Sequence, residues 1–250
     1  GVAQVQLSQL SALHEHPSLW FKSVVSKAGH VKKRFFLTFF VLLLYLNAID
    51  SIVREEHAMS VIIRDACISD APRLLEIYSY YVQHTAISFE YTTPTQEEFC
   101  RRMRHIMSRY PYLVAEVDGT VQGYAYAGAF VGRAAYDWSC ELTIYLARDA
   151  RKMGLGRQLY TALEQRLAQM GVLNLYACIG WPEAEDEYLT CNSAQFHEHL
   201  GFTLAGTFRR CGYKFGRWYD MVWMEKLLAP HRPQQPAIIP YPDLPHGENV

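Results

Sequence analysis

Apolar and polar residues change their period several times between Ser60 and Leu227, and each change marks an element. Ser60–Ala66 (SVIIRDA) alternates, as a half-buried strand does. Leu74, Leu75, Ile77, Tyr78 and Tyr81 then recur at helical spacing, behind Asp70 as a cap and Pro72 in the first turn. The run TPTQEEFCRRMRHIMSRY predicts a second helix. Thr95 caps it, Glu98 follows three residues on in a capping-box pattern, and Phe99, Met103, Ile106 and Met107 form one apolar face. YLVAEVDGTVQGYAYAGAF reads as two strands around an Asp118-Gly119 turn, and WSCELTIYLA as a third. Leu159, Leu163, Leu167 and Met170 give a helix, LNLYACIG a strand, and NSAQFHEHL a short helix ended by Gly201. The remainder, FTLAGTFRRCGYKFGRWYDMVWMEKL, is strand, turn, strand. The order β-α-α-β-β-β-α-β-α-β-β predicts one mixed α/β (α+β) domain, 59–228, around a largely antiparallel sheet flanked by helices.

The two ends read differently. Residues 1–58 form an N-terminal extension holding an apolar segment, 35–46, that as a helix spans about 18 Å against about 30 Å of bilayer hydrocarbon. Asn47 and Asp50 block its extension, and it lies far from the first residue for a signal peptide, so attachment to a membrane is not expected. Residues 229–250 carry six prolines between Pro230 and Pro245, a tail that is extended on the surface or disordered.

Composition narrows the function. Lys and Arg total 24 against 25 Asp and Glu, for a net charge of -1, which argues against a general nucleic-acid binder. The six cysteines form no CxxC pair and match no zinc spacing, so no metal is expected. Free thiols suit a reducing compartment, the cytoplasm.

Candidate chemistry centres on ARDARKMGLGRQLYTALEQ, which sets two glycines and three cations where a helix begins. GxxxxGK[ST] is absent, and Gly154-Leu155-Gly156 lacks the third glycine of a dinucleotide fingerprint. Arg-x-x-Gly-x-Gly directly between a strand and a helix remains. The free N–H groups of a first helical turn favour an anion, and a pyrophosphate would suit the site. On this tract alone, a tight turn with solvated cations reads equally well.

The tract CELTIYLARDARKMGLGRQLYTALE resembles the acetyl-CoA motif of the GNAT acetyltransferase superfamily. ISFEYTTPTQEEF, FVGRAAYDWSCE, FHEHLGF and GYKFGRWYDMVWME extend the resemblance to the phosphinothricin N-acetyltransferase group, over roughly Val61 to Leu227. The resemblance implies a GNAT-type splayed sheet and acetyl-CoA as co-substrate. Ile144, Tyr145 and Leu146 would meet the pantetheine arm. Arg151, Lys152, Met153, Gly154, Leu155, Gly156 and Arg157 would cradle the pyrophosphate. The superfamily's asparagine before the short helix falls at Thr190, with Asn192 as its shifted substitute.

Acetyl transfer needs a deprotonated amine, an oxyanion donor and a stabilised thiolate. Glu141 interrupts an apolar strand and shares a face with Thr143 and Tyr145, while Cys140, Leu142, Ile144 and Leu146 share the other. A carboxylate on a partly buried face has a raised pKa or a partner. The group's Tyr-x-x-x-x-Glu context, reproduced by Tyr136 and Glu141, implies a catalytic base. His197 falls where the group carries a histidine and implies a proton donor to the thiolate or a relay for the amine proton. Cys140 and Cys191 raise a ping-pong route, but Cys140 points away from Glu141 into the core. Arg133 matches an arginine near the acceptor and suits a carboxylate; Phe89, Tyr136, Trp138 and the KFGRWY tract are candidate pocket walls, each aromatic reading at least as readily as core. The implied partner is a small amino-acid-like amine, such as phosphinothricin, methionine sulfoximine or an amino acid. Family members often pair, so the resemblance also admits a homodimer. Polyamine or protein amino-terminal acceptors, and a non-catalytic acyl-CoA sensor, stand as alternatives.

Overall fold

The structure is a computed structural model and describes residues 60–150 and 153–245. The extension 1–58, with its apolar segment, lies outside the described residues. The elements are β1 (Val61–Asp65), α1 (Ala71–His84), α2 (Gln96–Met107), β2 (Tyr112–Val117), β3 (Thr120–Ala129) and β4 (Ser139–Leu146), then α3 (Leu155–Met170), β5 (Asn174–Trp181), α4 (Asn192–His199), β6 (Thr203–Lys214) and β7 (Arg217–Leu227). The predicted order of strands and helices is the observed one. Seven strands make one sheet in the order β1-β2-β3-β4-β5-β7-β6. β4 and β5 are parallel, joined through α3, and the other neighbouring pairs are antiparallel.

Local chemistry explains the boundaries. Asp118 and Gly119 both take positive φ, 48° and 78°, which turns β2 tightly into β3. Thr95 Oγ1 accepts the Glu98 N–H at 3.2 Å and starts α2. The reciprocal capping-box bond does not form, because the Glu98 carboxylate is taken by Arg101 and Arg102 at 2.8 Å. Asp70 precedes α1 but does not cap it with its side chain. Its carboxylate accepts the Cys67 N–H and two guanidinium bonds from Arg64, each at 2.8 Å. The Arg64 bonds lead in holding its pKa down to about 2, against some desolvation.

Alternation along β4 assigns the two faces of the sheet. Tyr145 packs edge-on against Tyr78 of α1, ring centroids 5.0 Å apart, and joins a row with buried Tyr124 and half-buried Tyr126 of β3 and buried Tyr112 of β2. Ile144 faces the other way, toward Gly156 of α3 and Phe196 of α4. Helices α1 and α2 therefore cover one face, and α3 and α4 the other. Leu74 and Ile77 on one side, and Leu159, Leu163 and Leu167 on the other, are buried in the core.

Of the two expectations for the proline-rich tail, residues 229–245 show surface packing. The Trp138 indole donates to Pro236 O at 2.7 Å, Ile239 N to Met170 O and Tyr241 N to Arg109 O, both at 2.9 Å. No helix among the described residues is long and apolar enough to cross a membrane.

Candidate active site

β4 and β5 stay in register for three pairs only: Ser139 with Asn174, Cys140 with Leu175, and Glu141 with Tyr176. The Asn174 side chain donates to Ser139 Oγ at 3.1 Å and pins this closed end. Beyond it, β4 continues on β3 and β5 continues on β7, so the two strands part. Among the described residues, the edge of Leu142–Leu146 that faces β5 has no strand beside it, and its backbone groups can pair with an extended ligand. One carbonyl is already used: the Tyr81 hydroxyl donates to Leu146 O at 2.7 Å.

A cavity of about 230 Å³ fills the gap and reaches both faces of the sheet. Glu141, Thr143 and Tyr145 line it from one face, and Tyr160, Ser193 and His197 from the other. Phe89, in the loop between α1 and α2, forms a further wall. Glu141 stands beside Gly128 of β3, where an added Cβ would meet nothing within 4 Å. Among the described residues it has no hydrogen-bond or ion-pair partner, and burial alone pushes its carboxyl pKa up.

His197 is buried on α4 and held at both ring nitrogens. The Ser193 carbonyl, 2.7 Å from Nδ1, can only accept, so Nδ1 carries the proton. In the neutral ring Nε2 is then an acceptor, and the Tyr160 hydroxyl donates to it at 2.8 Å. Burial lowers the His197 pKa, partly offset by the Ser193 bond, which keeps the ring neutral. Burial likewise raises the Tyr160 pKa strongly. Resting His197 therefore has no proton at Nε2 to give; its first step must be to take one.

The glycine loop leads into α3 with an open N-terminus. Gly154 sits at the N-cap with φ 76°, a left-handed conformation that favours glycine, and no side chain among the described residues caps the helix. Gly156, the second glycine of the loop, also meets a packing demand. It is buried, and a Cβ there would lie 2.9 Å from the Phe196 ring, so it lets α3 pack on α4. Leu155 is buried as well, Met153 is half-buried, and Arg157 is exposed on the first turn. Arg151 and Lys152 lie outside the described residues.

Other expected site residues are dispersed. Arg133 and Tyr136 are exposed in the turn before β4 and do not line the cavity; Tyr136 lies edge-on to Phe130 at 6.0 Å. Asn192 opens α4 but is exposed, while its neighbour Ser193 lines the cavity. Cys140 is buried in the core with its thiol pushed up to about 12 by desolvation, which suits no nucleophile. Sequence reasoning missed Tyr160, Ser193 and Cys178. Tyr160 lies within the apolar stripe of α3, where nothing local separates it from a core residue.

A pyrophosphate-bearing thioester fits this architecture: an uncapped helix start, an unpaired strand edge leading from it, and a gap between strands ending at an unpaired carboxyl. Residues 63–223 match the Acetyltransferase (GNAT) domain family. The chain belongs to the GNAT acetyltransferases. This GNAT chain is 37% identical to the phosphinothricin N-acetyltransferase of Streptomyces viridochromogenes, over 70% of its length and 93% of that protein. It is 35% identical to the L-methionine sulfoximine/L-methionine sulfone acetyltransferase of Pseudomonas aeruginosa, over 70% and 98%. Among solved structures it resembles the phosphinothricin acetyltransferase of Sinorhizobium meliloti in complex with AcCoA, with a TM-score of 0.66 and 35% identity, over 73% of this chain and 96% of that one.

Proposed function

We propose that this GNAT domain transfers an acetyl group from acetyl-CoA to the amine of a small amino-acid-like acceptor. The observation that carries the reading is the gap between β4 and β5, with an unpaired, desolvated carboxyl at its closed end and the Tyr160–His197 pair across the sheet. Acetyl-CoA supplies the thioester carbon. Its pyrophosphate would lie at the N-terminus of α3, beside Gly154 and Arg157, with Arg151 and Lys152 adding charge. Its pantetheine arm would add to the free edge of Ile144–Leu146 as an extra strand does.

Glu141 takes a proton from the acceptor ammonium, directly or through a water, and frees the nitrogen lone pair. The nitrogen then attacks the thioester carbon, a C–N bond forms and the C–S bond breaks. As the C–N bond forms the nitrogen sheds its second proton; His197 Nε2 takes it, which frees the Tyr160 hydroxyl to turn its hydrogen to the leaving sulfur, and the imidazolium replaces the proton that Tyr160 gives to the thiolate. The unpaired β4 edge offers backbone N–H groups for the developing oxyanion. Phe89 walls the acceptor side; Arg133 and Tyr136 reach the acceptor only if the turn before β4 folds toward the cleft on binding. Asn192 would touch coenzyme A from the start of α4.

The enzyme acts in the cytoplasm and pairs as a homodimer in this reading. Free, unbonded cysteines support the first. The exposed Leu204 and Phe208 on outermost β6 support the second.

Thiol release from acetyl-CoA in the presence of phosphinothricin, methionine sulfoximine, methionine sulfone or common amino acids tests the reading. Wild type should release thiol with at least one of them. Glu141→Gln should bind coenzyme A normally and turn over far more slowly. Release with polyamines alone would replace the acceptor class, and coenzyme A binding without release to any amine would leave a sensor.

A further inference from the structure

Lys214, the last residue of β6, is only 2% exposed. Among the described residues its ammonium makes no ion pair. Its donors go instead to three carbonyls: Val82 O at 2.8 Å, Thr85 O at 2.9 Å and Ser88 O. An ammonium has three protons, so its bonding is complete. Val82 and Thr85 lie in the last turn and at the C-cap of α1, where the helix carries its partial negative charge. The Phe215 ring also lies 5.1 Å from the ammonium, and a buried cation whose three donors all go to carbonyls fixes the backbone that presents them.

That backbone is the start of the α1–α2 loop. Ile87, Ser88 and Phe89 line the cleft, and Lys214 does not. The Phe89 ring rests on Gly212, two residues before Lys214; an added Cβ there would lie 2.6 Å from ring Cζ. The loop is thus seated on the β6–β7 hairpin, with Ala86 N also bonded to Tyr188 O at 3.0 Å.

We propose that Lys214 is a positioning residue for the acceptor: by clamping Val82, Thr85 and Ser88 it sets Phe89 as the wall against which the amine substrate docks. The inference rests on the acetyltransferase reading above. A lysine that served stability alone would, when lost, disturb both substrates. The backbone that Lys214 holds leads directly into Phe89, so its loss should act on the acceptor first.

The test uses the full chain, with acetyl-CoA and whichever of phosphinothricin or methionine sulfone wild type acetylates. Lys214→Met keeps the aliphatic stem and removes the donors. It should raise the acceptor KM about tenfold to a hundredfold, as small misplacements of a substrate wall do, and leave the acetyl-CoA KM within about twofold. Amide hydrogen exchange should quicken in peptides across 85–91 and stay unchanged across α3. Gly212→Ala, which keeps the lysine and displaces the Phe89 ring, should show the same split and carries the test if Lys214→Met does not fold. An unchanged acceptor KM, a parallel rise in both KM values, or unchanged exchange in 85–91 overturns the proposal. A wild type that releases no thiol with any acceptor instead sinks the acetyltransferase reading, and the exchange experiment still decides whether Lys214 holds the loop.

Discussion

β3 and β4 run in register from Gly123 opposite Leu146 to Ala129 opposite Cys140, whereas β4 and β5 share only the pairs between Ser139–Glu141 and Asn174–Tyr176. The first junction is sealed by the tyrosine row of Tyr112, Tyr124, Tyr126 and Tyr145. The second opens into the cavity holding Glu141, Tyr160 and His197. Each side of the sheet satisfies its own hydrogen bonds: the β2–β4 meander with β1 on its outer edge on one side, β5–β7 around a long hairpin on the other. The unpaired edge between them is therefore tolerated, and it is where a ligand can supply the missing partners. Stability resides within the two halves, and chemistry at their seam.

The strongest way to sharpen this contrast is Glu141→Gln. Loss of a general base should lower kcat/KM by about 10²–10⁴-fold in the thiol-release assay. The same change should raise Tm at neutral pH. Burial raises the folded pKa of Glu141 above its unfolded value, so the stability it contributes is present below the unfolded pKa and is lost as pH rises through the folded one. Glutamine removes that loss. For the same reason, the acidic limb of the wild-type kcat/KM profile should lie above the ordinary carboxylate range, and it should vanish from the residual activity of the variant.

Gly156→Val attacks the seam from α3. Its side chain meets the Phe196 ring, so α3 and α4 must separate, at a cost of about 1–3 kcal/mol in denaturant unfolding. Coenzyme A affinity measured by calorimetry should fall with it, because the helix start moves. The smallest effect is expected away from the seam. Thr95→Ala removes the α2 cap and should cost about 1 kcal/mol while both KM values stay unchanged. A comparable loss of activity in Thr95→Ala would erase the distinction between the two regions.

Much of this was readable along the chain. The hydrophobic periods locate every strand and helix of the domain, because a half-buried element must repeat with its own geometry. Asp118-Gly119 marks its turn because few other pairs accept two positive φ angles. Glu141 stands out as a carboxyl in an apolar strand, and it does line the cleft. Other assignments were out of reach of local patterns. Glu98 fits a capping box, yet two arginines on its own helix compete successfully for it. That Gly156 also lets α3 pack on α4 could not be read from the loop, because Phe196 lies 40 residues away. Arg133 and Tyr136 lie near Glu141 in sequence, but the turn before β4 carries them outside the cavity.

Sequence alone determined the elements, their order and the two chemical landmarks, the glycine turn and the strand glutamate, since each depends on residues a few positions apart. Tertiary structure decided what those landmarks face. Tyr160 meets His197 across 37 residues, and Lys214 reaches its three carbonyls across 126 to 132. The parting of β4 from β5 follows from which neighbour each strand keeps. Such pairings depend on how packed layers fill space, and no period or spacing along one chain encodes them.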